Sequence, residues 1–289
     1  IRSKWKGTDD SIDDHRRRVI QRLRKGKRMD KREQIAHLAA SREEEILLAR
    51  VYERIHTAAQ REIPAATSFL SKREQMLASE LLRGEAYRFF GGLPTAEREV
   101  CCYVPDYLDE DWLTGGDGPI AAVRATFYGQ GALTHRDFLG ALMGCGIKRE
   151  TVGDIYVSEG ECAFLVTREI LPYVLQNLTD AGRMRLTLEE LPLAALEAPE
   201  QKTKLVRDTV SSLRLDGVVA AGFALSRSRA AEVIAAGKTE LNYLTCTKAD
   251  RPVAEGDVIS VRGLGKMRLE AVGGATKKGR ISIEICRYI

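Results

Sequence analysis

Apolar positions along the chain fall into a helical rhythm first and then into short alternating runs. From Asp30 to about Ile63 the sequence is rich in Glu, Arg and Ala. Ile46, Leu47, Val51 and Ile55 recur at helical spacing there, and Pro64 ends the run. A second helix is predicted over 68–82, with Ser71 as its cap and Glu74 and Gln75 following. Segments 86–92, 100–107 and 120–129 read as strands separated by an acidic, Gly-rich loop over 109–119. A helix over 137–145 and a hairpin of 153–157 with 162–166 come next. A helix over 171–179 and a strand over 183–191 follow. Residues 212–238 read as two short helices, the first carrying Leu215, Val218 and Val219, the second Ala230, Val233 and Ile234. Ser226 suits the N-cap of the second and Gly237 its stop. Residues 253–266 read as a Gly-bounded hairpin with a basic tip.

Helices alternating with short strands predict an α+β fold. N-terminal helices lead into a central α+β domain with a mixed or antiparallel sheet, and two short helices on a small sheet form the C-terminal unit. The expected division is a helical segment over 29–64, a central domain over 65–197, a linker over 198–204 and a C-terminal domain over 205–289. At 289 residues the chain is long enough for two or three such cores.

The net charge of +4 hides three opposed blocks. Residues 1–28 carry +7, residues 29–204 carry −8 and residues 205–289 carry +5. An acidic body with a basic C-terminal unit is the asymmetry of a localised nucleic-acid footprint. The stretch before Met29, with its cluster HRRRVIQRLRKGKRM, lacks helical periodicity. Met29 is expected to be the native start and 1–28 an upstream extension, the competing reading being a disordered basic arm that binds RNA. No run reaches the ~18 apolar residues of a membrane span. The six cysteines show no metal-ligand or redox spacing and read as buried, reduced thiols of a cytoplasmic protein. No metal, cofactor or small-molecule substrate is expected.

The oddity is electrostatic. Arg227 and Arg229 place cations in the first turn of the second short helix, where the helix dipole prefers anions. Two arginines beside a helix N-terminus suit the grip of a phosphate from both sides. Lys238, Arg262 and Lys266, with Arg268 and Lys277 and Lys278 in TKKGR, extend a basic track. Few aromatics accompany these bases, which favours structured RNA read by shape over single-strand stacking. Arg136, Lys148 and Arg149 lie near one helix of the central domain. They read as ordinary solvated charges or, second, as further RNA contacts.

The residues Arg214-Leu215-Asp216, Ser226-Arg227, Ala230, Ile234, Gly237-Lys238, Asn242 and Gly256-Asp257 together resemble the S-four RNA-binding domain, the module named after small-subunit ribosomal protein four. Thr239, Glu240 and Tyr243 depart from its usual pattern, Tyr243 standing where a Gly is common. FFGGLPTAER (89–98) and LTHRDFLGALMGCGIKRETVGDIYV (133–157), followed by that module, resemble the YlmH family of bacterial RNA-binding proteins over about residues 68–289. The resemblance implies a non-enzymatic, ribosome-associated protein that binds large-subunit ribosomal RNA, with tRNA as a further candidate partner. It also implies a part in rescuing stalled large subunits. Arg214, Ser226, Arg227, Arg229, Lys238, Asn242, Arg262, Lys266, Lys277 and Lys278 are its expected RNA contacts.

Two enzymatic alternatives arise from short motifs. His135-Arg136-Asp137 mimics a kinase triplet, but Leu142 occupies the place of the required Asn and no Gly-rich phosphate loop precedes it. Thr134 or Asp137 is expected to cap the next helix instead. Arg214-Leu215-Asp216 is similar to the catalytic aspartate motif of pseudouridine synthases, yet it lies inside the RNA module, where Asp216 is expected to orient Arg214 or cap backbone N–H groups. A methyltransferase would need a Gly-rich loop after a strand, and neither Gly91-Gly92 nor Gly115-Gly116 provides it. An RNA-modifying enzyme with a catalytic central domain is thus the runner-up. A protein-interaction adaptor comes third.

Overall fold

The computed structural model describes residues 30–109, 111–129, 132–197, 202–276 and 279–289. The expected extension over 1–28 and the predicted contacts Lys277 and Lys278 lie outside the described residues, as do positions 198–201 of the expected linker.

The first periodic run forms two helices rather than one, α1 (Lys31–Leu38) and α2 (Arg42–Arg61). Ser41 breaks it by capping α2, its hydroxyl accepting from Glu44 N while the Glu44 carboxylate takes Ala40 N–H. Folding back at this point buries Ile35 with Leu48, Leu77 and Leu81. Residues 68–70, expected in the second helix, instead end strand β1 (Ala65–Leu70). Ser71 then starts helix α3 (Lys72–Leu81) with a full capping box to Glu74. Strands β2 (Arg88–Phe90) and β3 (Glu99–Tyr103) complete a three-stranded sheet of order β1-β3-β2. Val51 and Ile55 of α2 pack on Leu70 and Cys101 of that sheet, so the N-terminal helices share a core with the strands that follow.

The acidic stretch 109–119 contains one helical turn, α4 (Asp111–Thr114). A five-stranded sheet of order β5-β6-β4-β8-β7 is built from β4 (Ile120–Phe127), β5 (Val152–Val157), β6 (Glu161–Thr167), β7 (Asp180–Ala181) and β8 (Met184–Leu191). All of its pairings are antiparallel. Helices α5 (His135–Gly144) and α6 (Leu171–Asn177) cover one face through Phe138, Leu142, Leu171 and Val174. On the other face Ile120, Ala122 and Leu165 meet Phe69, Val100 and Cys102 of the first sheet. Strict alternation along β4 splits Val123 and Ala125 from Ala122 between these two cores.

The C-terminal unit opens on β9 (Thr203–Val210), which starts inside the segment expected as linker. Helices α7 (Leu215–Phe223) and α8 (Arg227–Ala235) follow. Strands β10 (Thr239–Leu241), β11 (Leu244–Thr245), β12 (Val258–Val261), β13 (Gly265–Ala275) and β14 (Ile281–Tyr288) then complete a six-stranded antiparallel sheet of order β11-β10-β12-β13-β14-β9. The expected hairpin over 253–266 narrows to β12 and the start of β13, because Val253–Asp257 is turn and loop. Gly222 faces Met267 and Ile285 of the sheet. A Cβ there would stand 2.1 Å from Met267 Sδ, so only glycine allows this approach.

Candidate nucleic-acid interface

A first-turn side chain of α8 reaches the first turn of α7. The loop 249–253 caps α7: Ala249 and Arg251 carbonyls accept from Asp216 and Leu215 N–H, both at 2.9 Å. Ala224, in left-handed backbone, ends α7. Ser226 then caps α8, its hydroxyl accepting from Arg229 N at 3.2 Å. The turn therefore brings the Arg227 guanidinium back over the first turn of α7.

Asp216 waits there. Its side chain is 9% exposed, and Arg227 reaches it with Nε 3.1 Å from Oδ2 and Nη2 3.3 Å from Oδ1. Arg214 approaches the same carboxylate, Nε 3.4 Å from Oδ1, as an ion pair without hydrogen-bond geometry. Gly217 N–H donates to Oδ1 at 2.8 Å. Two arginine side chains, each about half exposed, are thus held around one buried anion, with Ser211 Oγ 3.4 Å from Arg227. The first-turn cation of α8 has its stabilising partner on the neighbouring helix, which resolves the electrostatic oddity.

The pairing differs from the one read off the sequence. Arg214 and Arg227 meet at Asp216, whereas Arg229 turns aside to Glu232 at 2.7 Å in an exposed i,i+3 pair. Such an exposed pair contributes little to stability. Lys238 and Arg262, both exposed, line an open groove of about 260 Å³ with Ser260 and Glu240, so an acid shares the wall of this basic feature. Arg262 N–H donates to the Lys238 carbonyl at 2.8 Å, which fixes their spacing.

Asn242 is engaged by the fold. Its amide donates to Asp257 Oδ1 at 2.8 Å and its carbonyl accepts from Val258 N–H at 3.0 Å, while Asn242 and Tyr243 turn the β10–β11 hairpin in left-handed backbone. Lys266 and Arg268 flank Met267, whose side chain is buried against α7. The two cations therefore emerge on the opposite face of the sheet from Arg214 and Arg227. Arg268 is paired with Glu270, whose hydrogen bond raises its pKa. Arg280 is tied to Thr209 through its guanidinium.

In the central region Arg136 and Lys148 are exposed. Arg149 is spent on the Val152 and Gly153 carbonyls, and partial burial, with Arg98 nearby, lowers its pKa. Asp137 caps α5, its carboxylate accepting from Thr134 N–H at 2.8 Å and Thr134 Oγ1 at 2.7 Å. These bonds lower its pKa. Burial pushes the Cys101 and Cys162 thiols up, and Cys102 up to about 12. Among the described residues no group of His, Cys, Asp or Glu is arranged to hold a metal, and no helix is long and apolar enough to cross a membrane.

Residues 129–195 match the model of a "Putative RNA-binding domain in YlmH", and residues 213–259 match that of the "S4 domain". The chain is 34% identical over 218 residues to the "Ribosome-associated protein quality control protein P2" of Bacillus subtilis, covering 74% of this chain and 83% of that protein. The chain belongs to the YlmH family. The S-four match contains the whole Arg214–Asp216–Arg227 arrangement and the Lys238 end of the groove, and stops before Arg262. The YlmH match begins just after β4 and takes in α5 through β8. A solved structure, "Cell division protein ylmH from Streptococcus pneumoniae", is similar at 22% identity and a TM-score of 0.46, covering 54% of this chain and 95% of that one.

Sequence reasoning placed the helix caps. It missed that Asp216 joins Arg214 to Arg227. The signal was present: an acid in the first turn of one helix and a cation in the first turn of the next.

Proposed function

We propose that this YlmH-family chain binds structured RNA of the large ribosomal subunit through the helical face of its S-four domain, in the cytoplasm, and serves quality control of stalled subunits. The observation that carries the reading is the pair of half-exposed arginine side chains held around buried Asp216. Pre-positioned forks of this kind suit phosphate better than mobile lysines do, because less side-chain freedom is lost per bond formed. Lys238 and Arg262 continue the cationic surface at the other end of α8. The acidic body, with tRNA as a second partner, would orient the module on the particle, the functional division falling in the 198–204 segment. The relative's printed name, ribosome-associated protein quality control, supports the same setting.

The action is proposed to be non-enzymatic. Asp137 is committed to capping α5 and Asp216 to holding two arginines, so each aspartate in a catalytic-looking motif has a structural task.

The test is co-sedimentation of the full chain with large subunits over a salt series. The Arg214→Ala/Arg227→Ala variant should bind more weakly and show a salt slope smaller by about 1.4–1.8 for two phosphate contacts. Co-migration like wild type at moderate salt would overturn the assignment.

A further inference from the structure

Lys266 is the predicted RNA contact whose environment fits that role least. Its Nζ lies 2.6 Å from Glu97 Oε1, 5.6 Å from the Tyr243 ring centroid and 5.4 Å from that of Tyr288. The lysine belongs to the C-terminal sheet and the glutamate to the 91–98 turn, 169 residues earlier.

Both sides of this contact are built. Asp154 accepts from Glu97 N–H at 2.6 Å and Arg98 N–H at 3.1 Å, and the buried amide of Gln75 donates to the Glu97 carbonyl at 3.0 Å. Gly91 lets the turn close on itself, since a Cβ there would stand 2.5 Å from Ala96 Cβ. The turn therefore presents Glu97 from a fixed backbone. On the other side, Tyr243 takes left-handed backbone at φ 64°, an unfavourable state for an aromatic residue, and its ring lies against the lysine. A glycine would turn the hairpin at lower cost but would give up that ring.

Among the described residues, no hydrophobic cluster contains side chains from both the body and the C-terminal unit. Relative motion is the default for modules joined without a shared core. A hydrogen-bonded ion pair whose lysine lies over two rings is then a feature able to set their orientation.

We infer that Glu97 and Lys266, the lysine lying over the rings of Tyr243 and Tyr288, form a latch that docks the sheet face of the S-four module onto the 91–98 turn. Lys266 stays on Glu97 when RNA binds, and the helical face alone receives phosphate. The docking does not depend on the proposed RNA reading; only the second arm of the test does.

Single-molecule energy transfer in the full chain, with dyes placed by site-specific incorporation at exposed Glu159 and Asp250, reads the docking. Wild type and Lys266→Arg should give a narrow distance distribution, and Glu97→Gln and Lys266→Met a broad one. A Glu97→Gln distribution matching wild type would overturn the latch. In the second arm, Lys266→Met should leave the salt slope of binding to a large-subunit RNA fragment unchanged. A slope reduced by about 0.7–0.9, one phosphate contact, would make Lys266 an RNA ligand and overturn the retained latch. If wild type binds no RNA, the RNA reading fails and the first arm still decides the latch.

Discussion

Arg227 and Asp216, eleven residues apart in sequence, meet fork to fork across two successive helices, the carboxylate buried and the arginine side chain half exposed. The acid orders the cation, and the cation remains presented outward.

Removing the acid therefore separates charge from geometry. Asp216→Asn makes the module more positive, yet it should weaken RNA binding by releasing Arg214 and Arg227. Equilibrium unfolding in urea should show a loss of about 1–3 kcal/mol, because buried hydrogen bonds to a charged group are given up. RNA binding tighter than wild type would show that net charge, not placement, governs this face.

Ser226 tests the cap apart from the surface. Ser226→Ala should cost about 0.5–2 kcal/mol through loss of the bond from Arg229 N–H. Ser226→Asp should keep the stability and lose RNA affinity, since a new anion would stand beside Arg227. The comparison needs thermal unfolding and filter binding on the same two proteins.

Gly222→Ala should destabilise the C-terminal unit by about 1–3 kcal/mol by driving a methyl group into Met267. Pairing it with Met267→Ala should cost less than the two single changes added, because the clash disappears with the thioether. Strict additivity in urea unfolding would mean that the helix moves away from the sheet instead.

The latch carries a pH signature. Partial burial alone would lower the Lys266 pKa, but the hydrogen bond and charge of Glu97, helped by Tyr243 and Tyr288, more than reverse this and hold it above its ordinary 10.5. A raised folded pKa contributes stability that is complete below the unfolded value and lost as pH rises through the folded one. The narrow distance distribution of wild type should hold at pH 9 and broaden above about 10.5. Lys266→Met should be broad at both.

Much of this was legible in the sequence where the deciding contact is local. Ser71 with Glu74, Thr134 with Asp137, and Ser226 before Arg227 are cap signals three or fewer residues wide, and each cap sits where its spacing says. The break at Ser41 was hidden because Ala39 and Ala40 are good helix formers, and tertiary burial of Ile35 decides the fold-back. Strand β1 was hidden because Ser68–Leu70 merges smoothly into the helical pattern of α3. Glu97 and Lys266 lie beyond any local rule, and Tyr243 in a glycine's place was the one visible mark of their contact.

Strand β9 pairs with β14 along its whole length, Val210 opposite Ile281 and Thr203 opposite Tyr288. The unit that folds is therefore longer at its front than the stretch that matches the S-four pattern. A fragment begun at residue 213 would leave β14 as a bare edge, with Ile283 and Ile285 deprived of Val206 and Val210 as neighbours. Shortening the chain to its recognisable motif would replace the edge strand β9 by the more apolar β14, a stickier edge. The working boundary of this RNA-binding unit thus lies at or before Thr203, ahead of its first diagnostic residue.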